Sequence, residues 1–145
     1  MTDIYTNEWQ KYFHGIARAV AANSKCHSRM IGAILVRDKS IIASGYNGPA
    51  RGIPQCSPCS RPNKEPITLC PAAHAEANCI ANAARMGVCT KGSTMFVTCE
   101  IPCKDCLSIL INAGVTHIYV EDLKFYDDTA PRIAAYINLT IYTYK

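Results

Sequence analysis

Apolar side chains recur along this chain with two spacings, one typical of a helix and the other of short strands. In residues 7–22 they recur about every 3.6 residues, which predicts an amphipathic helix. The residues of this apolar stripe are Trp9, Tyr12, Phe13, Ile16, Ala17 and Val20. The runs 31–36 and 41–46 are short and apolar, and the polar stretch Arg37-Asp38-Lys39-Ser40 between them predicts a β-hairpin.

Towards the C-terminus the apolar pattern alternates between these two spacings. It predicts helices at 74–86, 102–113 and 131–137, and strands at 94–98, 117–120 and 139–143. Such alternation is typical of a mostly parallel sheet flanked by helices, to which the hairpin adds two strands. Pro102 is predicted at the first position of its helix and Gly114 at the C-cap. A cysteine-rich loop at 47–71 interrupts the pattern, and its length demands a functional or metal-bound explanation.

Composition narrows the class of protein. The 145 residues are 49% hydrophobic and 18% charged, which fits a single domain over residues 1–145. No apolar stretch reaches the length of about 18 residues that a membrane span needs, and residues 1–5 lack the features of a signal peptide. We therefore expect a soluble, cytoplasmic protein. A net charge of +4 suits an anionic small-molecule substrate and is too weak to indicate nucleic-acid binding.

Two short motifs supply candidate chemistry. They are His74-Ala75-Glu76 and Pro102-Cys103-Lys104-Asp105-Cys106. A catalytic zinc takes three protein ligands and keeps its fourth position for water, which fits His74, Cys103 and Cys106. Glu76 follows the histidine closely enough to move protons to and from that water without being a ligand. The nine cysteines are an odd number for a disulfide framework and favour metal binding.

Neither motif is specific when it occurs alone. In the order H-x-E followed by P-C-x-x-C, they form the signature of zinc nucleobase deaminases, in which zinc-activated water attacks C4 of cytosine. A second interpretation is a zinc-stabilised nucleic-acid-binding module built from the loop cysteines together with Cys103 and Cys106. Glu76 argues against that module, because a structural zinc site has no use for the carboxylate.

Further segments extend this similarity along the chain. They are Ser24-Lys25-Cys26-His27-Ser28-Arg29, residues 31–36, Gly45-Tyr46-Asn47-Gly48-Pro49 and residues 111–114. Over residues 9–126, approximately, the chain resembles the cytidine deaminase-like superfamily and, within it, the deoxycytidylate (dCMP) deaminases. The zinc motifs carry the resemblance to the superfamily, and the Gly-Tyr-Asn-Gly segment points to the deoxycytidylate branch.

This resemblance implies both a fold and a reaction. The fold is α/β, with a five-stranded mixed sheet sandwiched by helices. The reaction is hydrolytic deamination of dCMP to dUMP, which supplies thymidylate synthesis. Deaminases of dCTP or of modified cytosine nucleotides remain alternatives. So do superfamily members that act on cytidine, cytosine or tRNA adenosine, because they share both zinc motifs.

A second, structural zinc is also predicted. The resemblance implies that Cys26 and Cys56 are ligands. Spacing along the sequence adds two more candidates, because Cys59 forms a Cys-x-x-Cys pair with Cys56 and Cys70 flanks the same region. His27 is an alternative fourth ligand. The competing interpretation is that Cys26 is a small buried residue and that Cys56 and Cys59 are an idle surface pair. The remaining cysteines, Cys79, Cys89 and Cys99, are predicted to be inert, and His14 and His117 to serve packing or the surface.

Substrate and effector contacts are predicted mainly from the resemblance. It implies that Asn47 lies beside the deoxyribose, and the backbone of Ala75 is a candidate for orienting the base. The candidates for the 5′-phosphate are Ser24, Lys25, Arg29 and Tyr126, since a phosphate needs cations and hydroxyl donors. Asn78 is a candidate for a bond to backbone or phosphate. Glu100 stands where the family usually has an uncharged residue.

Regulation is implied by the resemblance alone. Many members of the family are homo-hexamers that dCTP activates together with Mg²⁺ and that dTTP inhibits. The residues that match the effector region are Gly45, Tyr46, Asn47, Gly48 and Arg51, and Arg85 of the helix predicted at 74–86 is a candidate partner.

Overall fold

A computed structural model describes residues 3–26, 28–56, 70–137 and 139–145. Four helices lie within these ranges, at Asn7–Ala21 (α1), Ala75–Arg85 (α2), Lys104–Asn112 (α3) and Ala130–Ile137 (α4). The strands are Gly32–Arg37 (β1), Ser40–Tyr46 (β2), Gly48–Pro49 (β3), Ala72–Ala73 (β4), Thr94–Val97 (β5), Glu100–Ile101 (β6), His117–Val120 (β7), Asp122–Phe125 (β8) and Thr140–Thr143 (β9). Of the helices described, none is long and apolar enough to cross a membrane.

Five of the strands form the central sheet, in the order β2-β1-β5-β7-β9. The pairs β1–β2 and β1–β5 are antiparallel, whereas β5–β7 and β7–β9 are parallel. The five-stranded mixed sheet between helices is therefore confirmed. Strands β2, β5, β7 and β9 run in one direction, as the expectation of a mostly parallel sheet with a hairpin requires, and the two antiparallel pairs are those that β1 makes.

Alternate residues of the central strands face opposite layers of helices. Ala33 and Leu35 of β1 belong to a core cluster that includes residues of α2, α3 and α4. Ile34 and Val36 of the same strand belong to a second cluster with residues of α1. This period of two is the one that a strand covered on both faces requires.

The ends of several elements follow from local chemistry. The side chain of Thr6, the N-cap of α1, accepts a hydrogen bond from the backbone N–H of Trp9. Asp38 and Lys39 have φ values of 53° and 60°, as a two-residue type I′ hairpin turn requires, and they join β1 to β2. The predicted hairpin is thus confirmed. Of the predicted apolar stripe in α1, Tyr12 is the member that lies at the surface, with 55% of its area exposed.

Pro102 lies outside its predicted helix. α3 begins at Lys104, and Cys103 is its N-cap with an extended backbone (φ −62°, ψ 166°). The other helices and long strands begin and end within a residue or two of their predicted bounds, as helix and strand ends commonly do. The strands β3, β4 and β6 were not predicted, since two residues are too few to show a period. Strand β8 was not predicted either, and all four of its residues are exposed.

Candidate active site

A cavity of about 170 Å³ opens where β1 begins and where β2 and β5 end. Five segments line it, from the approach to β1, the end of β2, the start of α2, the start of α3 and the segment after β8. The residues that line it include Cys26, Arg29, Asn47, Cys70, His74, Glu76, Cys99, Glu100, Cys103 and Tyr126. The central sheet thus brings residues that are far apart in sequence to one edge.

The three predicted zinc ligands meet at this cavity. His74, Cys103 and Cys106 form the one group of three potential metal ligands in the part of the chain that the structure describes. The Nδ1 atom of His74 lies 3.5 Å from the sulfur of Cys103 and 3.4 Å from the sulfur of Cys106. A tetrahedral zinc separates a nitrogen and a sulfur ligand by about 3.5–3.6 Å, given its bond lengths of about 2.0–2.1 and 2.3 Å. The donor set and its spacing therefore fit a zinc ion, with Nδ1 as the ligand atom of His74.

Two helix N-termini converge on this site. His74 is the N-cap of α2 and Cys103 is the N-cap of α3, and neither side chain makes a capping hydrogen bond to its own helix. Both side chains are therefore free to turn towards each other. The partial positive charge at each helix N-terminus favours thiolate over thiol at this place.

A hydrogen bond couples the thiol groups of Cys103 and Cys106. A hydrogen bond from Cys106, assisted by His74, lowers the pKa of Cys103 to about 4. The same bond raises the pKa of Cys106 above its usual value, and contact with Cys103 raises the pKa of His74. Cys103 is thus poised as a thiolate, which is the form that binds a metal.

Glu76 lines the cavity from the first turn of α2. It is 4% exposed, and burial raises the pKa of its carboxyl above the usual value. Proton transfer is most effective when the pKa of the carboxyl lies near the working pH, so this burial suits a proton shuttle. The structure thus places one buried carboxyl in the same cavity as the potential metal ligands His74 and Cys103.

An ion pair lies at the open side of the cavity. The guanidinium of Arg29 donates to both carboxylate oxygens of Glu100, over 2.9 Å from Nη1 and 2.7 Å from Nη2. Arg29 holds the pKa of Glu100 below its usual value. Tyr126 lines the same cavity, is 53% exposed, and stands edge-on to His74 with ring centroids 6.2 Å apart. Of the four phosphate candidates, the structure places Arg29 and Tyr126 at the cavity.

Asn47 connects the end of β2 to the segment before β1. Its side chain donates to the carbonyl of Arg29 over 2.7 Å and accepts from the N–H of Ile31 over 2.9 Å. Ser24 is 2% exposed and donates to the carbonyl of Asn47 over 2.8 Å, so Ser24 has a structural bond already. Lys25 is exposed and is not among the cavity-lining residues. Asn47 itself lines the cavity, as a sugar contact requires.

Two asparagines of α2 donate hydrogen bonds to the backbone of β2. The side chain of Asn78 donates to the carbonyl of Tyr46 over 2.8 Å, and Asn82 donates to the carbonyl of Ser44 over 2.8 Å. Asn82 also accepts a bond of 2.9 Å from Arg51. Of the two bonding roles proposed for Asn78, the structure thus shows the one to backbone. Gly45 packs directly on α2, where a Cβ would overlap the backbone of Cys79.

The predicted effector residues fall into two groups. Gly45, Tyr46, Asn47, Gly48 and Arg51 lie on one continuous segment from the end of β2, whereas Arg85 ends α2. Arg51 of the first group donates a hydrogen bond to Asn82 of α2. The structure thus places Arg85 on the helix that also carries Glu76, and Arg51 in contact with that helix.

The residues proposed for the structural zinc are partly described. Cys26 and Cys70 line the cavity, while Cys56 is half-buried in the adjoining loop. Cys59 and His27 lie outside the described residues. Cys26, Cys56 and Cys70 do not form a group of three within ligand distance of one another, so the structure does not assemble this site and the second zinc stays a prediction.

The remaining cysteines differ in their surroundings. Burial raises the pKa of Cys79 to about 12 and also raises the pKa of Cys99, so both thiols are poor nucleophiles. Cys99 nevertheless lines the cavity, which the sequence did not indicate. Its position after β5 was the available signal, because the end of that strand leads into the zinc-binding segment.

The chain matches a known family over most of its length. Residues 7–122 match the profile of the family described as "Cytidine and deoxycytidylate deaminase zinc-binding region". Deoxycytidylate deaminase of Mycobacterium phage D29 is 34% identical over 121 residues, which are 77% of this chain and 92% of that protein. Deoxycytidylate deaminase of Homo sapiens is 31% identical over 146 residues, covering 95% of this chain and 79% of that protein. Two other relatives are longer, and the chain spans 61% and 46% of their lengths.

A solved structure agrees over nearly the whole chain. The crystal structure of dCMP deaminase from the cyanophage S-TIM5, in complex with dCMP and dUMP, superposes with a TM-score of 0.81 at 25% identity. The match covers 96% of this chain and 98% of that chain. Together with the zinc-ligand geometry, these similarities show that the chain is a zinc-dependent deaminase that belongs to the cytidine and deoxycytidylate deaminase family.

Proposed function

We propose that this protein converts dCMP and water to dUMP and ammonia. The observation that carries the proposal is that the buried Glu76 lines one cavity with His74 and Cys103, which together with Cys106 form the group of potential metal ligands. The phage and human relatives named above, which are deoxycytidylate deaminases, favour this substrate over other cytosine compounds. The product would supply thymidylate synthesis, and the expected place of the reaction is the cytoplasm.

Glu76 carries the proton transfers in this proposal. When bound to His74, Cys103 and Cys106, zinc supplies a Lewis acid that makes water nucleophilic near neutral pH. Glu76 takes the proton that this water loses as its oxygen attacks C4 of the base. It delivers this proton to N3, then takes the proton of the hydroxyl group now on C4 and gives it to the amino group, so that the C4–N bond breaks and ammonia leaves. The burial that raises the pKa of Glu76 keeps bulk water from competing for these protons.

The remaining cavity residues orient the nucleotide. Asn47 is fixed by its two bonds to the segment before β1, and its amide retains one N–H and one lone pair for a deoxyribose hydroxyl. The backbone of Ala75, between His74 and Glu76, is the proposed contact to the base. Arg29 and Tyr126 are the proposed contacts to the 5′-phosphate, because both line the open side of the cavity. Orientation of this kind places C4 at the site of attack.

The reaction is tested by the loss of cytosine absorbance. The zinc-loaded protein is given dCMP, dCTP, CMP, deoxycytidine or cytosine, and Glu76→Gln is the variant. We expect turnover of dCMP, and a kcat for the variant that is lower by about 10²–10⁴-fold, the usual contribution of a positioned acid–base group. Zinc content should be unchanged, since Glu76 is not a ligand. A zinc-loaded protein that acts on adenosine in tRNA and on none of these compounds would overturn the proposal.

Regulation by nucleotides is a further part of the proposal. The bond between Arg51 and Asn82 supports it, because it links the segment after β2 to the helix that carries Glu76. We infer that dCTP with Mg²⁺ binds this segment in a homo-hexamer and activates the enzyme, and that dTTP inhibits it. The dependence of rate on dCMP concentration should be sigmoidal and become hyperbolic when dCTP and Mg²⁺ are added. A curve that stays sigmoidal with dCTP would contradict this part.

A structural zinc completes the proposal. Its support is the position of Cys26 and Cys70, which line the cavity beside the cysteine-rich loop. Metal bound there by Cys26, Cys56, Cys59 and Cys70 would fix the loop against the cavity. Zinc analysis of Cys56→Ser should show one equivalent less than the wild type, while Cys89→Ser, at an exposed cysteine, should show no loss. Equal zinc content in all three proteins would reject the second site.

A further inference from the structure

The ion pair between Arg29 and Glu100 joins two walls of the cavity. Arg29 belongs to the segment before β1, and Glu100 belongs to β6, which leads to the zinc-binding start of α3. Two hydrogen bonds, of 2.9 and 2.7 Å, connect the guanidinium to both carboxylate oxygens. A bidentate pair of this kind fixes the plane of the guanidinium as well as its distance.

Arg29 is the cation that an entering anion would meet. Within the described lining of the cavity it is the one lysine or arginine, while Glu76 and Glu100 are acidic. Its side chain is 47% exposed, whereas that of Glu100 is 20% exposed. A phosphate approaching from solvent therefore has direct access to the guanidinium, and the carboxylate lies deeper.

The pair leaves the guanidinium with donors to spare. A guanidinium has five N–H groups, and the two bonds to Glu100 use one on each terminal nitrogen. Three N–H groups therefore remain for a phosphate. Without Glu100, an arginine on an exposed segment would sample many rotamers, and ordering it on binding would weaken affinity.

The backbone around the pair is also fixed. The carbonyl of Arg29 accepts a bond of 2.7 Å from Asn47. Strand β6 pairs with β8, where Glu100 lies opposite Asp122. Arg29 is thus held at its backbone by the proposed sugar-binding residue and at its guanidinium by Glu100.

We propose that Glu100 is a positioning residue that presents the Arg29 guanidinium to the substrate phosphate, so that the pair selects nucleotides over nucleosides. This inference rests on the proposed function, because dCMP supplies the phosphate. It predicts that Glu100 affects phosphorylated ligands only and that it acts through Arg29.

The test compares dCMP with deoxycytidine, which lacks the phosphate. For Glu100→Ala we expect KM for dCMP to rise about three- to tenfold, as follows from the loss of one pre-ordered side chain, with kcat unchanged. KM for deoxycytidine should not change. Glu100→Gln, which can keep one bond to Arg29, should lie between Glu100→Ala and the wild type. Arg29→Ala should raise KM for dCMP at least about tenfold, because it removes the charged partner itself.

Two comparisons separate positioning from a structural effect. In the Arg29→Ala background, Glu100→Ala should have no further effect on KM for dCMP. Asp3→Ala is the matched control, because it removes another ion pair, with Lys145, away from the residues that line the cavity. The inference is overturned by equal changes for dCMP and deoxycytidine, by a KM for dCMP that falls in Glu100→Ala, or by effects of the two residues that add.

Binding measurements separate this inference from the proposed reaction. Calorimetry with dUMP and deoxyuridine needs no turnover, and we expect Glu100→Ala to weaken dUMP alone. Phosphate-selective binding that depends on Glu100 in a protein without dCMP turnover would support the positioning role and reject the reaction. Turnover of dCMP with no effect of Glu100→Ala on either nucleotide would do the reverse.

Discussion

The sheet packs α1 on one face and the other three helices on the opposite face, and the two faces bury different side chains. The face towards α1 is aromatic, with Phe13, Phe96 and Tyr119 in contact, and the rings of Phe96 and Tyr119 stack 4.9 Å apart. The face towards α2 and α3 is aliphatic and small, and includes alanine and cysteine side chains. Large rings hold a helix away from a sheet, whereas small side chains allow close approach.

This difference explains why the chemistry lies on one face. Gly45 allows the backbone of α2 to approach β2, which brings the first turn of that helix to the edge of the sheet. The first turn of α3 reaches the same edge, so His74 and Cys103 meet. Aromatic packing on the α1 face thus contributes stability, whereas close packing on the other face fixes the positions of the site residues.

The largest expected effect comes from removing a histidine, and it should differ between the two faces of the sheet. His74→Ala removes a zinc ligand and should lower bound zinc by about one equivalent and turnover to background. His14→Ala removes a histidine that stacks on Tyr144 at 3.8 Å on the α1 side, and should leave both quantities unchanged. Zinc analysis and the dCMP assay measure the two results. A zinc loss in His14→Ala would mean that the faces do not act independently.

A large truncation on the aromatic face should affect stability alone. Phe13→Ala removes a buried ring that contacts Phe96 with centroids 4.9 Å apart. We expect the free energy of unfolding to fall by about 3–5 kcal/mol, from lost transfer energy and the cavity left behind. The kcat of the folded fraction should change little. Urea unfolding and the dCMP assay check this pair of outcomes, and a kcat lowered in proportion to stability would contradict it.

An added methyl group on the other face should affect stability and activity together. In Gly45→Ala the new Cβ would overlap the backbone of Cys79, so α2 must shift. We expect a loss of about 1–3 kcal/mol in stability and a lower kcat, because Glu76 moves with its helix. Gly15→Ala is the control, since its Cβ meets no atom within 4 Å. An unchanged kcat in a destabilised Gly45→Ala would show that close packing does not set the position of Glu76.

The smallest expected effect is the dependence of stability on pH that the ion pair between Arg29 and Glu100 causes. Arg29 lowers the pKa of Glu100, so the folded state favours the charged carboxylate. The stabilisation is therefore complete above the usual pKa of 4.5 and is lost as the pH falls through the lower, folded-state value. Because the pair is partly exposed, we expect less than about 1 kcal/mol. The difference in unfolding free energy between wild type and Glu100→Gln should shrink as the pH falls below 4.5, and a difference that grows would contradict the sign.

Local periodicity was enough to predict the long helices and strands, and two short motifs were enough to predict the group of potential zinc ligands. The 3.6-residue stripe gave α1, and the two motifs gave His74, Glu76, Cys103 and Cys106 because metal chemistry restricts both residue type and spacing. The pairing of β1 with β5 was not predictable in this way. It depends on contacts between residues about sixty positions apart, such as Ala33 and Val97, which leave no periodic trace.

The polar contacts around the cavity were predicted less well, because they too join residues that are far apart in sequence. Arg29 was one of several phosphate candidates, and nothing in its neighbouring residues indicates a partner 71 positions later. Ser24 and Asn47 were predicted to contact the ligand, yet their side chains also make hydrogen bonds that hold the segment before β1 against the end of β2. A polar side chain in a loop can serve the ligand or the fold, and only the three-dimensional arrangement separates the two.

The meeting of two helix N-caps at one metal site has a consequence for the unfolded chain. His74 and Cys103 lie 29 positions apart, so one ion that binds both closes a loop of that length, as a disulfide would. The free energy of metal binding then becomes part of the free energy of folding. Shortage of zinc would therefore remove a cross-link as well as a catalyst, and newly made chains would lose the tie that holds the starts of α2 and α3 together.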